Sequence, residues 1–295
     1  MFSQTSKFMV IFLAFILATG CASHRSRIDF AGESGARTAY ETHGRGKKAV
    51  VFIHGWTCDR SFWNRQVPAL KDEYRVILID LPGHGQSDAP QIDYTIPYFA
   101  DSVKAVLDDA NVNRAVLVGH SLGFSISRDV ARKYPDRVVA LVSADGSPFR
   151  PPVSDSPADV DAWRERINGF IDTVTKPDPK TARAAFVESM FLDDTSAELR
   201  MEIMTKIVRT PDFVAVSAIN ALADPNLWRA EPMPLPVLAI LARNDATPAD
   251  RAAQWHHWFS SVELHEWSDC GHFPMMEKPD EFNAMTRAFL AKQSW

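Results

Sequence analysis

Five short, largely apolar runs dominate this chain: Ala49–Ile53, Arg75–Asp80, Ala115–Val118, Val138–Val142 and Pro236–Leu241. Runs without polar alternation are what strands buried on both faces require. Helical spacing appears between them. Phe62, Val67 and Leu70 mark one stretch, and Phe99, Val103, Val106 and Leu107 form an i, i+4, i+7, i+8 stripe. Segments 249–259 and 280–290 supply two more. Such alternation predicts an α/β fold with a mostly parallel central sheet and helices on both faces. Weaker strand signals lie at Ile28–Ala31 and Arg37–His43. Val262–Trp267 is less apolar and reads as a strand near an edge.

One region interrupts the alternation. Between Pro148 and Pro236 there is no clear buried strand. Pro148, Pro151, Pro152 and Pro157 open the region, and Pro232, Pro234 and Pro236 close it. Proline clusters at both ends fit the hinges of an inserted unit. Helix-like segments between them carry Trp163, Ile167, Phe170, Phe186, Met190 and Ile207. The expectation is a helical cap at about 148–235, inserted after the sixth strand, whose inner face packs on the sheet and lines a substrate pocket.

Among the strand–helix junctions, Gly119-His120-Ser121-Leu122-Gly123 carries chemistry. It reads G-x-S-x-G, follows the run ending at Val118 and precedes a helix-like segment. A serine hydroxyl is a weak nucleophile unless a sharp turn exposes it beside a base. Glycines at 119 and 123 suit the close backbone approach such a turn imposes. The base expected is His272, in Asp269-Cys270-Gly271-His272-Phe273-Pro274, on a loop past the last strand. His256 and His257 fall within a helical pattern and His265 within a strand. A third group must orient the base. Asp245 and Asp145 both follow buried strands and both lie between Ser121 and His272. Asp245 is the expected acid and Asp145 its rival.

These motifs, with His54-Gly55-Trp56 and Asp80-Leu81-Pro82-Gly83-His84-Gly85-Gln86-Ser87-Asp88, resemble the α/β-hydrolase fold of the esterase-like type over about residues 50–289. The resemblance implies an oxyanion hole from the backbone N–H groups of Trp56 and Leu122. It gives His54, Asp80 and Asp88 structural roles in shaping loops. It also implies acyl transfer through an acyl-enzyme. A serine at the elbow argues against haloalkane dehalogenases and epoxide hydrolases of this fold, which use aspartate. The expected reaction is hydrolysis of an ester with a small or medium, largely apolar acyl group. C–C bond hydrolysis, lactone opening and thioester cleavage share the machinery. A ligand-binding protein with a silent triad is the alternative of another class, because fold does not fix function. In this fold Cys58 and Cys270 both fall on loops at the C-terminal rim of the sheet. A disulfide between them is one reading; two buried free thiols is the other.

The N-terminus is built differently. Lys7 precedes the apolar run Phe8–Ala18, and Thr19, Gly20 and Cys21 follow. A positive start, a short apolar core and small residues describe a secretory signal. The run is shorter than the ~20 residues of a membrane span. Ala18-Thr19-Gly20-Cys21 resembles a bacterial lipobox, which implies a signal peptide at 1–20, lipid on Cys21, a tether at 21–27 and a folded domain at 28–295. Ala22 in place of an aspartate points toward the outer membrane of a bacterial envelope. An ordinary signal peptide and an uncleaved anchor are the other readings. All three export the folded part.

Composition bounds the remainder. The 295 residues suffice for one large α/β domain, and 46% apolar residues suffice for its core. The formal charge of −5 gives no reason to expect nucleic acid as a partner. No metal or cofactor motif is visible, so the expected partners are a small-molecule substrate and the membrane at Cys21.

Overall fold

The computed structural model describes residues 27–33, 35–146, 156–224, 232–242 and 248–295, with the side chains at 248–251 and 254 left aside. The expected signal peptide, Cys21 and Asp245 lie outside the described residues.

Eight strands form one sheet: β1 (Ile28–Ala31), β2 (Thr38–His43), β3 (Ala49–Ile53), β4 (Arg75–Ile79), β5 (Ala115–His120), β6 (Val138–Ala144), β7 (Met233–Ala242) and β8 (Phe259–Trp267). Their spatial order is β1-β2-β4-β3-β5-β6-β7-β8. The pairs β1–β2 and β2–β4 are antiparallel. Every later pair is parallel. Each predicted run is therefore a strand, and the α/β expectation holds.

Period-two geometry divides each buried strand between two cores. Val51 and Ile53 of β3, with Ile77 and Ile79 of β4, enter one apolar cluster. Val50, Phe52, Val76 and Leu78 enter the other. The helices are α1 (Val67–Leu70), α2 (Ile96–Asp109), α3 (Leu122–Lys133), α4 (Pro157–Thr175), α5 (Pro179–Glu188), α6 (Ala197–Ile207), α7 (Asp212–Asn220), α8 (Pro248–Trp258), α9 (Pro274–Glu277) and α10 (Pro279–Ala291). α2 and α3 cover the first face, with Phe99, Val103, Phe124 and Val130. α10 covers the second with Phe282, Phe289 and Leu290.

Helices α4 to α7 occupy the chain between β6 and β7. Ser156, Asp178 and Ser196 cap three of them, each side chain accepting the N–H of the third residue on. Polar ties fasten this insert to the sheet's C-terminal edge. Trp56 Nε1 donates to Ala215 O at 2.7 Å, Thr210 Oγ1 to Thr57 O at 3.2 Å and Tyr94 N to Ser217 Oγ at 2.8 Å. Trp163, Ile167 and Ile171 of α4 join the first core, while Ile203 and Ile207 of α6 join the second. The insert thus continues both cores and roofs the strand ends.

Candidate active site

The site begins at the junction of β5 and α3. Ser121 links them with φ +50° and ψ −119°, a conformation unfavourable for a side chain bearing Cβ. Its N–H donates to Ala144 O at 3.1 Å, and its own carbonyl accepts from Phe124 N at 3.0 Å. Those bonds hold the turn on either side of the serine. A Cβ at Gly123 would lie 2.3 Å from Ile53 O, and one at Gly119 would lie 2.5 Å from Gly123 O. The elbow exists because both flanking positions are glycine.

His272 sits on the loop between β8 and α9. Its Nδ1 lies 2.6 Å from Asp145 Oδ2. Asp145 follows the last residue of β6 in the left-handed region, at φ +46°. Its N–H donates to Ile240 O at 2.8 Å, and its Oδ1 accepts from Ala242 N at 2.8 Å. Main chain on β7 therefore fixes both ends of this aspartate while the second oxygen takes the imidazole. Among the described residues the acid held against His272 is Asp145, the rival in the sequence reading; Asp245, the acid expected first, lies outside them. An imidazole has one Nδ1, and the carboxylate from the end of β6 fills it.

His54 fixes a loop, as expected. Its Nδ1 donates to Gly55 O at 2.8 Å, and its Nε2 accepts from Leu81 N at 3.0 Å. Burial holds this imidazole neutral, lowering its pKa to about 4. Asp80 is likewise enclosed. It accepts from Arg60 N and Gln86 N, each at 2.8 Å, and pairs with the Arg60 guanidinium. Asp88 accepts from Gly35 N at 3.0 Å and Arg37 N at 2.9 Å. Both carboxylates are structural.

Of the two readings of the cysteine pair, the structure shows the second. Cys58 and Cys270 are buried free thiols. Each turns into its own loop: Cys58 Sγ approaches Trp56 O at 3.5 Å, and Cys270 Sγ approaches Gly271 O at 3.5 Å. Burial pushes both thiols above the ordinary cysteine range.

A cavity of about 300 Å³ contains Ser121, His272 and Asp145, together with Trp56 and Leu122 of the expected oxyanion hole. Leu122 opens α3, so its N–H lacks an intrahelical partner and is free to face an anion. Phe170, Phe186, Val187, Met190, Ile207 and Phe273 form apolar walls, five of them from the insert. A larger, more polar cleft of about 720 Å³ touches Thr57, Lys206 and Arg209 but not Ser121. The smaller cavity is the one lined by Ser121 and the His272–Asp145 pair. No group of three or more His, Cys, Asp or Glu side chains poised for a metal ion occurs among the described residues.

Residue composition alone did not single out Glu277. Its carboxylate accepts from Gly271 N at 2.8 Å and Phe273 N at 3.0 Å, one on each side of His272. The short helix α9 carries it back to the loop it follows.

A strained serine elbow at the C-terminal end of a parallel strand, lining the same largely apolar cavity as a His–Asp pair, defines the hydrolase class of α/β protein. The chain belongs to the alpha/beta hydrolase fold family, whose model matches residues 48–279. It is similar to the dihydrolipoyllysine-residue acetyltransferase component of the acetoin cleaving system of Cupriavidus necator, at 28% identity over 269 residues, covering 88% of this chain and 68% of that one. It is also similar to a pimeloyl-[acyl-carrier protein] methyl ester esterase of Aromatoleum aromaticum, at 29% identity over 242 residues, covering 79% and 94%. Among solved structures, a thermophilic esterase from Thermogutta terrifontis superposes with a TM-score of 0.72 at 26% identity, covering 90% and 99%.

Proposed function

We propose that this protein hydrolyses esters of uncharged, apolar acyl groups through an acyl-enzyme on Ser121. The observation that carries the reading is the 2.6 Å His272–Asp145 contact opening on the same cavity as the strained serine. His272 Nε2 takes the Ser121 proton as Oγ attacks the carbonyl carbon. Asp145 holds the Nδ1–H tautomer and stabilises the imidazolium. The N–H groups of Trp56 and Leu122 receive the oxyanion. Donors of this kind are worth roughly 3–4 kcal/mol each. The protonated His272 then gives its proton to the leaving alcohol, and water repeats the sequence on the acyl-enzyme.

Cavity size bounds the acyl group. About 300 Å³ is the lower end of ordinary small-molecule pockets, which suits a small or medium acyl group. The described insert residues that line the cavity, Phe170, Phe186, Val187, Met190 and Ile207 among them, are apolar, which suits an uncharged chain. The esterases among the similar proteins support an ester substrate.

Fluorophosphonate labelling tests the reading. Labelling of Ser121, together with hydrolysis of p-nitrophenyl butyrate and hexanoate that Ser121→Ala abolishes, is the expected result. A folded protein whose Ser121 resists the probe is not a serine hydrolase.

We propose in addition that Cys21 carries lipid and anchors the domain to a bacterial envelope. The signal-like sequence ending at Cys21 supports this. Mass spectrometry of the mature N-terminus tests it; an N-terminus elsewhere, or an unmodified Cys21, sinks it.

A further inference from the structure

His120 is a buried imidazole beside the nucleophile that the reaction scheme leaves without a task. Burial, reinforced by the neighbouring His272, holds its pKa well below the ordinary histidine range, so the ring is neutral. Its Nε2 lies 2.8 Å from His272 O. A carbonyl only accepts, so Nε2 carries the proton and donates. Its Nδ1 then presents a lone pair, and this atom has no hydrogen-bond partner among the described residues. That edge lies against the oxyanion loop: a Cβ at Gly55 would sit 2.6 Å from His120 Nδ1. The ring centroids of His120 and His272 are 4.8 Å apart, and Phe273 follows at 5.2 Å.

The remaining backbone of the base loop is pinned from other directions. Glu277 accepts the N–H groups of Gly271 and Phe273, and Met190 O of the insert accepts His272 N–H at 3.3 Å. Among the described residues only His120 holds the His272 carbonyl, and it does so from the position immediately before the serine. The peptide Gly119–Leu122 therefore grips the base through its neighbour while presenting the nucleophile.

We infer that His120 is a positioning residue: its Nε2–H fixes the His272 main chain relative to Ser121, and its ring spaces the oxyanion loop at Gly55 from the base loop. The inference rests on acyl transfer at Ser121. Its physical basis is that reacting groups need placement within a fraction of an ångström, and a backbone anchor supplies it without touching substrate. A neutral ring suits the task, since a charged one would oppose the imidazolium forming on His272.

The test compares His120→Leu, which removes the donor, with His120→Gln, whose side-chain NH₂ reaches about as far as Nε2. His120→Asn is the third variant; its shorter amide fails to reach the carbonyl. The readouts are the rate of Ser121 labelling by a fluorophosphonate, kcat and KM on p-nitrophenyl butyrate, and the thermal melt. The leucine and asparagine variants should label about tenfold more slowly, with kcat lowered and KM little changed. Glutamine should restore most of the rate. If leucine does not fold, the glutamine–asparagine contrast carries the test. Equal rates in glutamine and asparagine, or wild-type labelling in leucine, overturn the inference. Wild-type protein that fails to label overturns the acyl-transfer reading itself, which separates the two failures.

Discussion

His272 Nδ1 meets Asp145 Oδ2 at 2.6 Å, across a sequence separation of 127 residues. The contact joins the end of β6 to the loop after β8. β7 lies between those strands and grips the aspartate through Ile240 O and Ala242 N. The carboxylate is thus a fixed part of the sheet edge, and the imidazole is oriented by it.

Asp145→Asn should lower kcat by about 10⁴-fold, as loss of the orienting carboxylate does in serine triads. Asp245→Asn should leave kcat near wild type. Steady-state hydrolysis of p-nitrophenyl butyrate by the two variants decides between the acids. The reverse pattern would assign the role to Asp245.

Acid should destabilise the fold through its buried histidines. His54 is held to about 4 and His84 to about 3, both chiefly by burial, against 6.5 in the unfolded chain. Below pH 6.5 the unfolded state takes up protons that the native rings refuse. Stability is therefore fully present above 6.5 and falls as pH drops toward those native values. The slope is up to about 1.4 kcal/mol per pH unit for each histidine. Urea midpoints at pH 7.0, 6.0 and 5.0 should fall in that order; a flat series contradicts it.

Thiol titration should find the two domain cysteines reduced. In a Cys21→Ser variant, denatured without reductant, two thiols should react with DTNB; the native protein should react slowly, because both are buried. No reactive thiol after denaturation would restore the disulfide.

Phe186→Ala should retune chain length. Phe186 lines the cavity, with its ring 6.4 Å from Trp56 and 5.3 Å from Phe170. Removing the ring opens volume at the wall facing the acyl chain. The preferred p-nitrophenyl ester should shift to a longer chain while Ser121 labelling persists. An unchanged preference would place the acyl group elsewhere.

Gly123→Ala tests the elbow. Its Cβ would press on Ile53 O at 2.3 Å and His54 O at 2.6 Å, both backbone atoms with no room to rotate away. We expect about 1–3 kcal/mol lost from stability, as overpacking costs, and little labelling of Ser121. A wild-type melt and rate would show that the elbow tolerates the shift.

Local pattern carried much of this molecule. The apolar runs of β3 to β7 are strands because both their faces are buried, and that leaves a mark in every residue. Gly119, Ser121 and Gly123 announce the elbow, since a turn that tight admits few side chains. The acid is different. Asp145 and Asp245 share the same local description, a carboxylate after a buried strand and between Ser121 and His272 in chain order. A clue was present in Gly146, where a Cβ would lie 2.4 Å from Phe124 Cβ and 3.0 Å from Ser121 O, tying that loop to the elbow. The thiols stayed open in the sequence for a related reason. Two loops share one rim, yet side-chain direction within each loop keeps the sulfurs apart.

Sequence by itself determined the strands, the serine turn and the helical character of the segment between β6 and β7, because each is enforced by neighbours along the chain. The partner of His272, the fate of Cys58 and Cys270, and the grip of His120 and Glu277 on the base loop were decided only by tertiary structure. Those contacts depend on how distant strand ends line up across the sheet, and register between strands is set by packing of the whole core.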